Sequence, residues 1–369
     1  MALVLTEDET MLVDSVRGLL DREAPLSAFR ALRDSGEALA YDAALLARLA
    51  DNGLVAPQVA EADGGVGLGA SAAGLIMEQA GHVLAAAPLL SAAISATLIG
   101  GAASQGQRAE LLGPIVRGER VVAPALDEVS RHDPDRLQTT AIKDGDGWAI
   151  SGAKTAVIDG FEADAYVVSA DCEGSPGLFL VEGGAQGLSL ERVQTVDSRN
   201  YARLEFASTA AIRLGEGDAA KAIEAGLDMG RALLAAEMLG IADEAFDRTV
   251  SYLKERKQFD RIIGSFQALQ HRAARLYARL DLARGVVLKA LRALDEGHQD
   301  ATWLASLSKG VMTRLCRDVL MEAMQMHGGI GVTDEYDVGL FVKRGQAAGE
   351  LLGDDHFQTE RLASGHWGL

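Results

Sequence analysis

The chain has 369 residues, with 35 Lys and Arg against 53 Asp and Glu, a formal net charge of −18. So acidic a chain lacks the basic footprint of a general nucleic-acid binder. A polyanionic ligand must be held by a local basic cluster, not by the field of the whole molecule. Apolar residues make up 48% and charged residues 24%, which is globular composition, and the length predicts two or three domains. Two cysteines, Cys172 and Cys316, cannot build a disulfide framework or a zinc site, and they point to a reducing, cytoplasmic compartment. The start, MALVLTEDET, reaches acidic residues without a basic and then apolar run, so no signal peptide is expected. No uninterrupted apolar stretch has the length of a membrane span. The richest stretch, residues 82–103, is broken by Pro88, Ser91, Ser95, Gly100 and Gly101 and reads as buried helices.

From Thr6 to about Arg117 the spacing is helical. Leu12, Val16, Leu19 and Leu20 mark one helix face, and Ala70–Leu84 repeats the habit. From about Val121 to Leu214 the period shortens. AYVVSA, GLFLVE, LSLERV and ARLEFAS read as strands, and GDGWAISGAK reads as a turn leading into a strand. Beyond Gly215-Glu216-Gly217 the pattern returns to helices over Ala219–Glu255, Gln267–Glu296 and Ala301–His327, long enough for an antiparallel bundle. The spacing predicts a helical domain over 1–118, a β domain over 119–215 and a helical bundle over 216–369.

Several motifs carry little. Gly65-Val66-Gly67-Leu68-Gly69-Ala70 spells a dinucleotide fingerprint, but it joins two helical zones without a βαβ unit and reads as a tight loop before a helix. The seven histidines include no His-Glu-x-x-His pair or close ligand cluster, so no metal site is expected. No nucleophile-elbow spelling supports serine catalysis.

Three constellations stand out. The first, Lys254 to Arg261, places a basic cluster at a helix end, with a turn at Gly264 and a new helix near Ser265. Such a cluster either compensates the helix dipole or holds phosphate. In the second case Arg256 supplies a two-pronged fork, Gln258 and Gln267 supply amide donors, and Phe259 packs on a flat ring. The second is Gln325-Met326-His327-Gly328-Gly329-Ile330-Gly331, where a long helix stops at a glycine pair. It is either a helix cap or a place where backbone comes close to a ligand. The third is Glu237. Its same-face neighbours Leu233, Leu234, Gly240 and Ile241 are all apolar. It is either at the edge of a solvated stripe or desolvated, and a desolvated carboxylate suits a general base.

Taken together these stretches resemble the acyl-CoA dehydrogenase family. The Arg256-x-Gln258-Phe259 stretch precedes Phe266-Gln267, the Gln325-x-His327-Gly328-Gly329 stretch follows about 60 residues later, and the α–β–α order matches over essentially the whole chain. Residues 51–54 and 63–68 also resemble that family's N-terminal domain. The resemblance implies a helical N-terminal domain, a middle β-barrel and a C-terminal four-helix bundle. It also implies FAD as cofactor, α,β-desaturation of an acyl-CoA, and electron-transfer flavoprotein or a similar acceptor. The FAD contacts it implies are Arg256, Gln258, Phe259, Gln267, Gln325, Gly328 and Gly329, reaching the ADP half of a flavin across a subunit interface. Assembly as a homotetramer, or as an α2β2 heterotetramer with a homologous chain, follows from the same resemblance.

The chain departs from the family at the reacting end. The customary Tyr-Glu-Gly-Thr is replaced by Leu351-Leu352-Gly353-Asp354, with Leu352 in the place of the carboxylate. The alternative place for the base, just before an Arg on the first bundle helix, is Gly230. Glu237 is the surviving candidate base, with Glu350 and Asp354 behind it. Leu126 stands where a flavin-binding Thr is expected, and Ala156-Val157-Ile158 replaces Trp-Ile-Thr. Two functions are open. One is a desaturase with Glu237 as base, acting on a bulky or steroid-derived acyl-CoA. The other is a non-catalytic partner subunit that supplies ADP-half contacts to a flavin held by a homologous chain, as in the steroid side-chain-degrading members.

Overall fold

The computed structural model describes residues 3–36 and 41–367. Six helices come first: α1 Glu7–Glu23, α2 Leu26–Ser35, α3 Ala43–Asp51, α4 Gly69–Val83, α5 Leu89–Ala102 and α6 Gln105–Val116. A capping box starts α1. Thr6 Oγ1 accepts from the Glu9 amide at 3.2 Å, and the Glu9 carboxylate accepts from the Thr6 amide at 2.7 Å. Helix α5 is buried on all sides, which is why its sequence shows no polar stripe. The glycine-rich stretch is a loop entering α4. A Cβ on Gly65 would lie 2.1 Å from the Val59 carbonyl oxygen, so close backbone approach accounts for that glycine.

Seven strands follow: β1 Val122–Ala125, β2 Thr140–Asp144, β3 Gly147–Ile158, β4 Ala165–Cys172, β5 Ser175–Glu182, β6 Leu188–Val193 and β7 Tyr201–Arg213. The order β4-β2-β3-β7-β5 closes because β5 pairs β4 again, while β1 extends β4 and β6 extends β7. The result is the expected barrel. Its pairing is antiparallel except where β1 and β2 meet β4, so no doubly wound sheet surrounds a nucleotide fingerprint.

The chain then forms α7 Ala220–Glu255, a two-residue hairpin of β8 Lys257–Gln258 and β9 Arg261–Ile262, α8 Gln267–Asp295, α9 Ala301–His327, α10 Val338–Glu350 and α11 Asp355–Trp367. Helices α7 to α10 form the four-helix bundle. Arg284 of α8 reaches Asp243 of α7, Arg344 of α10 reaches Glu237 of α7, and Gly345 of α10 fits against Cys316 and Leu320 of α9. Helix α11 packs on α9.

Two compact units result. One comprises Met1–Leu26, Gly74–Ala85 and Arg231–Leu369, and the other Ser27–Ala73 and Ala86–Gly230. In the first, α4 and α7 touch backbone to backbone. A Cβ on Gly240 would sit 1.9 Å from the Glu78 carbonyl oxygen, and one on Gly81 would sit 2.3 Å from that of Glu237.

In the second unit the barrel encloses a buried ion pair. Lys154 is fully buried, and its Nζ donates to Glu128 Oε1 at 2.8 Å, Leu126 O at 3.0 Å and Ser169 Oγ at 3.0 Å. Glu128 also accepts from the amides of Gln138 and Thr139 at 2.6 and 3.0 Å. Burial raises its acidity threshold, but the Lys154 and amide hydrogen bonds outweigh that and hold the carboxyl below its ordinary range. Burial wins at Lys154, lowering its pKa from 10.5 to about 8 despite Glu128. The folded state therefore binds fewer protons than the unfolded chain between these values, and stability from this group rises with pH across that window. Lys154→Met should cost about 3 kcal/mol at neutral pH, because Glu128 is left buried without its cation. Denaturant titrations from pH 7 to 10 should also show a shallower rise for the variant than for wild type.

Candidate active site

Helix α7 ends in a turn that carries the basic cluster. Phe259 and Asp260 form the two-residue tip between β8 and β9, with φ of +53° and +59°. Two left-handed residues in succession make the turn that matches strand twist, a place usually held by Asn or Gly. A phenylalanine there is strained, and this one is 85% exposed. Strain and exposure together point to use rather than packing. Phe259 meets Phe266 edge-on at 6.1 Å, and the Arg261 guanidinium lies 4.0 Å from the Phe266 ring centre. Arg256, Gln258 and Gln267 are all exposed on this turn and on the first residue of α8.

Helix α9 ends at the diglycine. Gly328 has φ +65°, and a Cβ on either Gly328 or Gly329 would meet nothing within 4 Å. Packing therefore does not require these glycines. They leave open, exposed backbone beside the exposed Gln325.

An aromatic stack joins the two helix ends. Tyr252, on the last turn of α7, lies over His327, on the last turn of α9, with ring centres 4.5 Å apart. Tyr336 packs on His327 at 4.7 Å. His327 Nδ1 is 2.7 Å from Ala323 O, and its Nε2 is 3.1 Å from Tyr336 Oη. Burial lowers the His327 pKa, only partly offset by the Ala323 bond. The ring is therefore neutral at pH 7, with Nδ1 donating to the carbonyl and Nε2 accepting the phenol proton. The histidine of the second motif is thus a strut that brings both motifs to one end of the bundle.

Glu237 is only 2% exposed, which decides between its two sequence readings in favour of the desolvated one. Arg344 Nη1 donates to its Oε1 at 3.4 Å. Nearby Cys316 has its thiol pKa pushed up, first by burial and then by the Glu237 charge. Glu350 is exposed at the end of α10. Asp354 accepts from the Phe357 amide at 2.8 Å and so caps α11. At the ring-side positions the structure places aliphatic carbon. Leu126 is 5%, Val157 1% and Ile158 5% exposed. Leu352 is buried as well, with φ +57°.

A profile of the acyl-CoA dehydrogenase C-terminal domain matches residues 218–366, and one of the N-terminal domain matches residues 6–119. The chain belongs to the acyl-CoA dehydrogenase family. It is 30% identical to "Acyl-CoA dehydrogenase IpdE2" of Mycobacterium tuberculosis, over 98% of each chain. It is also 28% identical to the protein of that name from Mycolicibacterium smegmatis, over 97% of this chain and 98% of that one. Among solved structures it resembles a "Tcur3481-Tcur3483 steroid ACAD G363A variant" with 34% identity, a TM-score of 0.89 and 97% of each chain covered. It also resembles the ChsE4-ChsE5 complex from Mycobacterium tuberculosis, with 26% identity, a TM-score of 0.87 and 98% of each chain covered.

Arg344 and Tyr252 were not legible as site residues of this acyl-CoA dehydrogenase. Arg344 stands 107 positions from Glu237, and no spacing rule links residues on different helices. For Tyr252, only an aromatic one turn before the basic cluster hinted at a role. The geometry makes a checkable statement about the pair. Arg344→Leu should destabilise the protein by about 3 kcal/mol by removing a charged partner from a buried carboxylate. The double variant with Glu237→Leu should lose about 1–3 kcal/mol less than the sum of the single losses, measured by equilibrium unfolding.

Proposed function

We propose that this chain works as one of two homologous subunits of an FAD-dependent acyl-CoA dehydrogenase, which introduces an α,β double bond into a bulky, steroid-derived acyl-CoA in the cytoplasm. One observation carries the reading. The residues for the ADP half of the cofactor are exposed and gathered at one end of the bundle, while the positions expected to face the flavin ring carry only aliphatic side chains, buried at Leu126, Val157 and Ile158 and exposed at Ala156. The first set fits the cofactor. Gly328 and Gly329 present open backbone, and Arg256, Gln258, Phe259, Gln267 and Gln325 are free of packing duties. The second set does not fit, since Leu126, Val157 and Ile158 bring no side-chain donor. The chain's likeness to the Tcur3481-Tcur3483 steroid ACAD and to the ChsE4-ChsE5 complex supports the same choice.

In this reading Arg256 holds pyrophosphate oxygens through its fork, and the glutamine amides donate beside it. Phe259 lies against the adenine, and the diglycine lets the main chain approach. FAD, when bound, supplies the acceptor for the hydride that leaves the β-carbon. The α-proton needs a positioned carboxylate. The division 1–118, 119–215 and 216–369 gives the helical domain, barrel and bundle their separate tasks. Reoxidation falls to electron-transfer flavoprotein or a similar acceptor.

A second reading keeps the whole reaction in this chain, with Glu237 as the base in a homotetramer. Its burial among Leu233, Leu234 and Ile241 favours it. The two readings separate on one measurement. Purified alone, the chain should be colourless. Co-expressed with the homologous chain, it should yield a yellow assembly with one FAD per pair of chains, and Arg256→Met should lower that content at least tenfold. Stoichiometric flavin in the chain alone would overturn the two-chain reading. Glu237→Gln in the active assembly tests the second: an unchanged rate removes Glu237 as the base.

A further inference from the structure

Lys309 of α9 is wholly buried, yet no ion pair among the described residues satisfies its charge. Its Nζ donates instead to three oxygens: Gly349 O at 2.8 Å, Gly353 O at 3.2 Å and Thr313 Oγ1 at 3.2 Å. The Thr313 hydroxyl spends its one proton on the Lys309 carbonyl at 2.8 Å, so toward Nζ it can only accept. Two of the three oxygens belong to the backbone where α10 ends. There the chain turns through two left-handed residues, Leu352 at φ +57° and Gly353 at φ +96°. Such a conformation is unfavourable for leucine and persists only when its surroundings hold it. The other support is Gln358 of α11, fully buried, whose Nε2 donates to Leu352 O at 2.9 Å and Gly353 O at 3.2 Å. Two hydrogen bonds from the ammonium group and two from the amide thus meet the carbonyls of Gly349, Leu352 and Gly353.

The charges around Lys309 come from each helix that meets it. Glu350 at the end of α10 and Asp354 in the turn favour the ammonium form, and Arg231 on α7 opposes it, while Cys316 on its own helix is held in the neutral thiol form by burial. From α11 the neighbour is the uncharged Gln358. Desolvation is the largest effect and lowers the pKa from 10.5 to about 7. An ammonium group has three N–H bonds for three acceptors. The neutral amine has two, and its lone pair must then face an oxygen.

We propose that Lys309 is a positioning residue: its ammonium group clamps the 351–354 turn, and loss of one proton frees an oxygen and loosens that turn. Leu352 stands where many family members carry their catalytic carboxylate, so in the reading that keeps the whole reaction in this chain the clamp shapes a wall of the acyl site. That last step rests on the proposed function. The clamp itself does not, because it needs neither flavin nor substrate.

Hydrogen exchange on the purified full-length chain tests it. Peptides covering residues 349–356 are followed from pH 6 to 8.5, with correction for intrinsic exchange. In wild type the protection of this turn should fall about fivefold, as expected for one lost hydrogen bond, with a midpoint near pH 7. Lys309→Arg keeps its charge across this range, so its turn should show protection that does not change with pH. Lys309→Met should show low, flat protection. Gln358→Leu should lower protection throughout but keep the wild-type midpoint. Flat wild-type protection in a folded protein overturns the proposal, as does a Met variant protected like wild type at pH 6. If the Met variant does not fold, wild type against the Arg variant decides. A chain that shows the clamp but forms no acyl-CoA desaturase with its homologue refutes the proposed function and leaves the clamp standing.

Discussion

The contact on which the bundle's functional end depends is the stack of Tyr252, His327 and Tyr336. It is modest in size, but it sits where two long helices stop, and each helix delivers a different motif just past it. A neutral, buried imidazole suits this role. It packs against two aromatic rings and satisfies both nitrogens within the protein, so the helix ends are fixed without a buried charge. The exposed groups beyond the stack, the strained Phe259 tip and the open diglycine, can then remain unsupported by packing of their own.

Elsewhere the protein does hold buried and half-buried charge, and the instances differ in how it is met. Arg284 spans Glu78 and Asp243 with its two arms. Arg344 meets Glu237 in the bundle, and Lys154 meets Glu128 in the barrel. Lys309 differs from these in being met by carbonyl and hydroxyl oxygens with no carboxylate among them. Paired charges hold elements in one arrangement over a wide pH range. Desolvation lowers the pKa of both buried lysines, to about 8 at Lys154, where the Glu128 carboxylate opposes it, and to about 7 at Lys309, which has no carboxylate in contact.

The two halves of the cofactor question have different physical characters. In the proposed reading phosphate and adenine would be held by residues at a surface, which keep their identity whether or not a second chain is present. The flavin ring needs donors inside a cleft, and here the corresponding side chains have been absorbed into hydrophobic packing at Leu126, Val157 and Ile158. A chain that keeps the first and loses the second is suited to completing a site in another subunit.

Periodicity alone determined the α–β–α order. Apolar spacing is local, and helices such as α7, α8 and α9 begin and end within a residue or two of where the pattern changes. Motif residues at short range, from Arg256 to Gln267 and from Gln325 to Gly329, were legible for the same reason. Tertiary structure decided what depends on neighbours distant in the chain. Sequence left Glu237 between a solvated edge and a buried site, because its helix neighbours do not say what the next helix offers, and Arg344 on α10 supplied the answer. It also could not reveal that His327 is a strut between helix ends, or that Lys309 lies beneath the turn at Leu352. These facts arise from the crossing of helices, and a one-dimensional pattern records which face is apolar but not which partner that face meets.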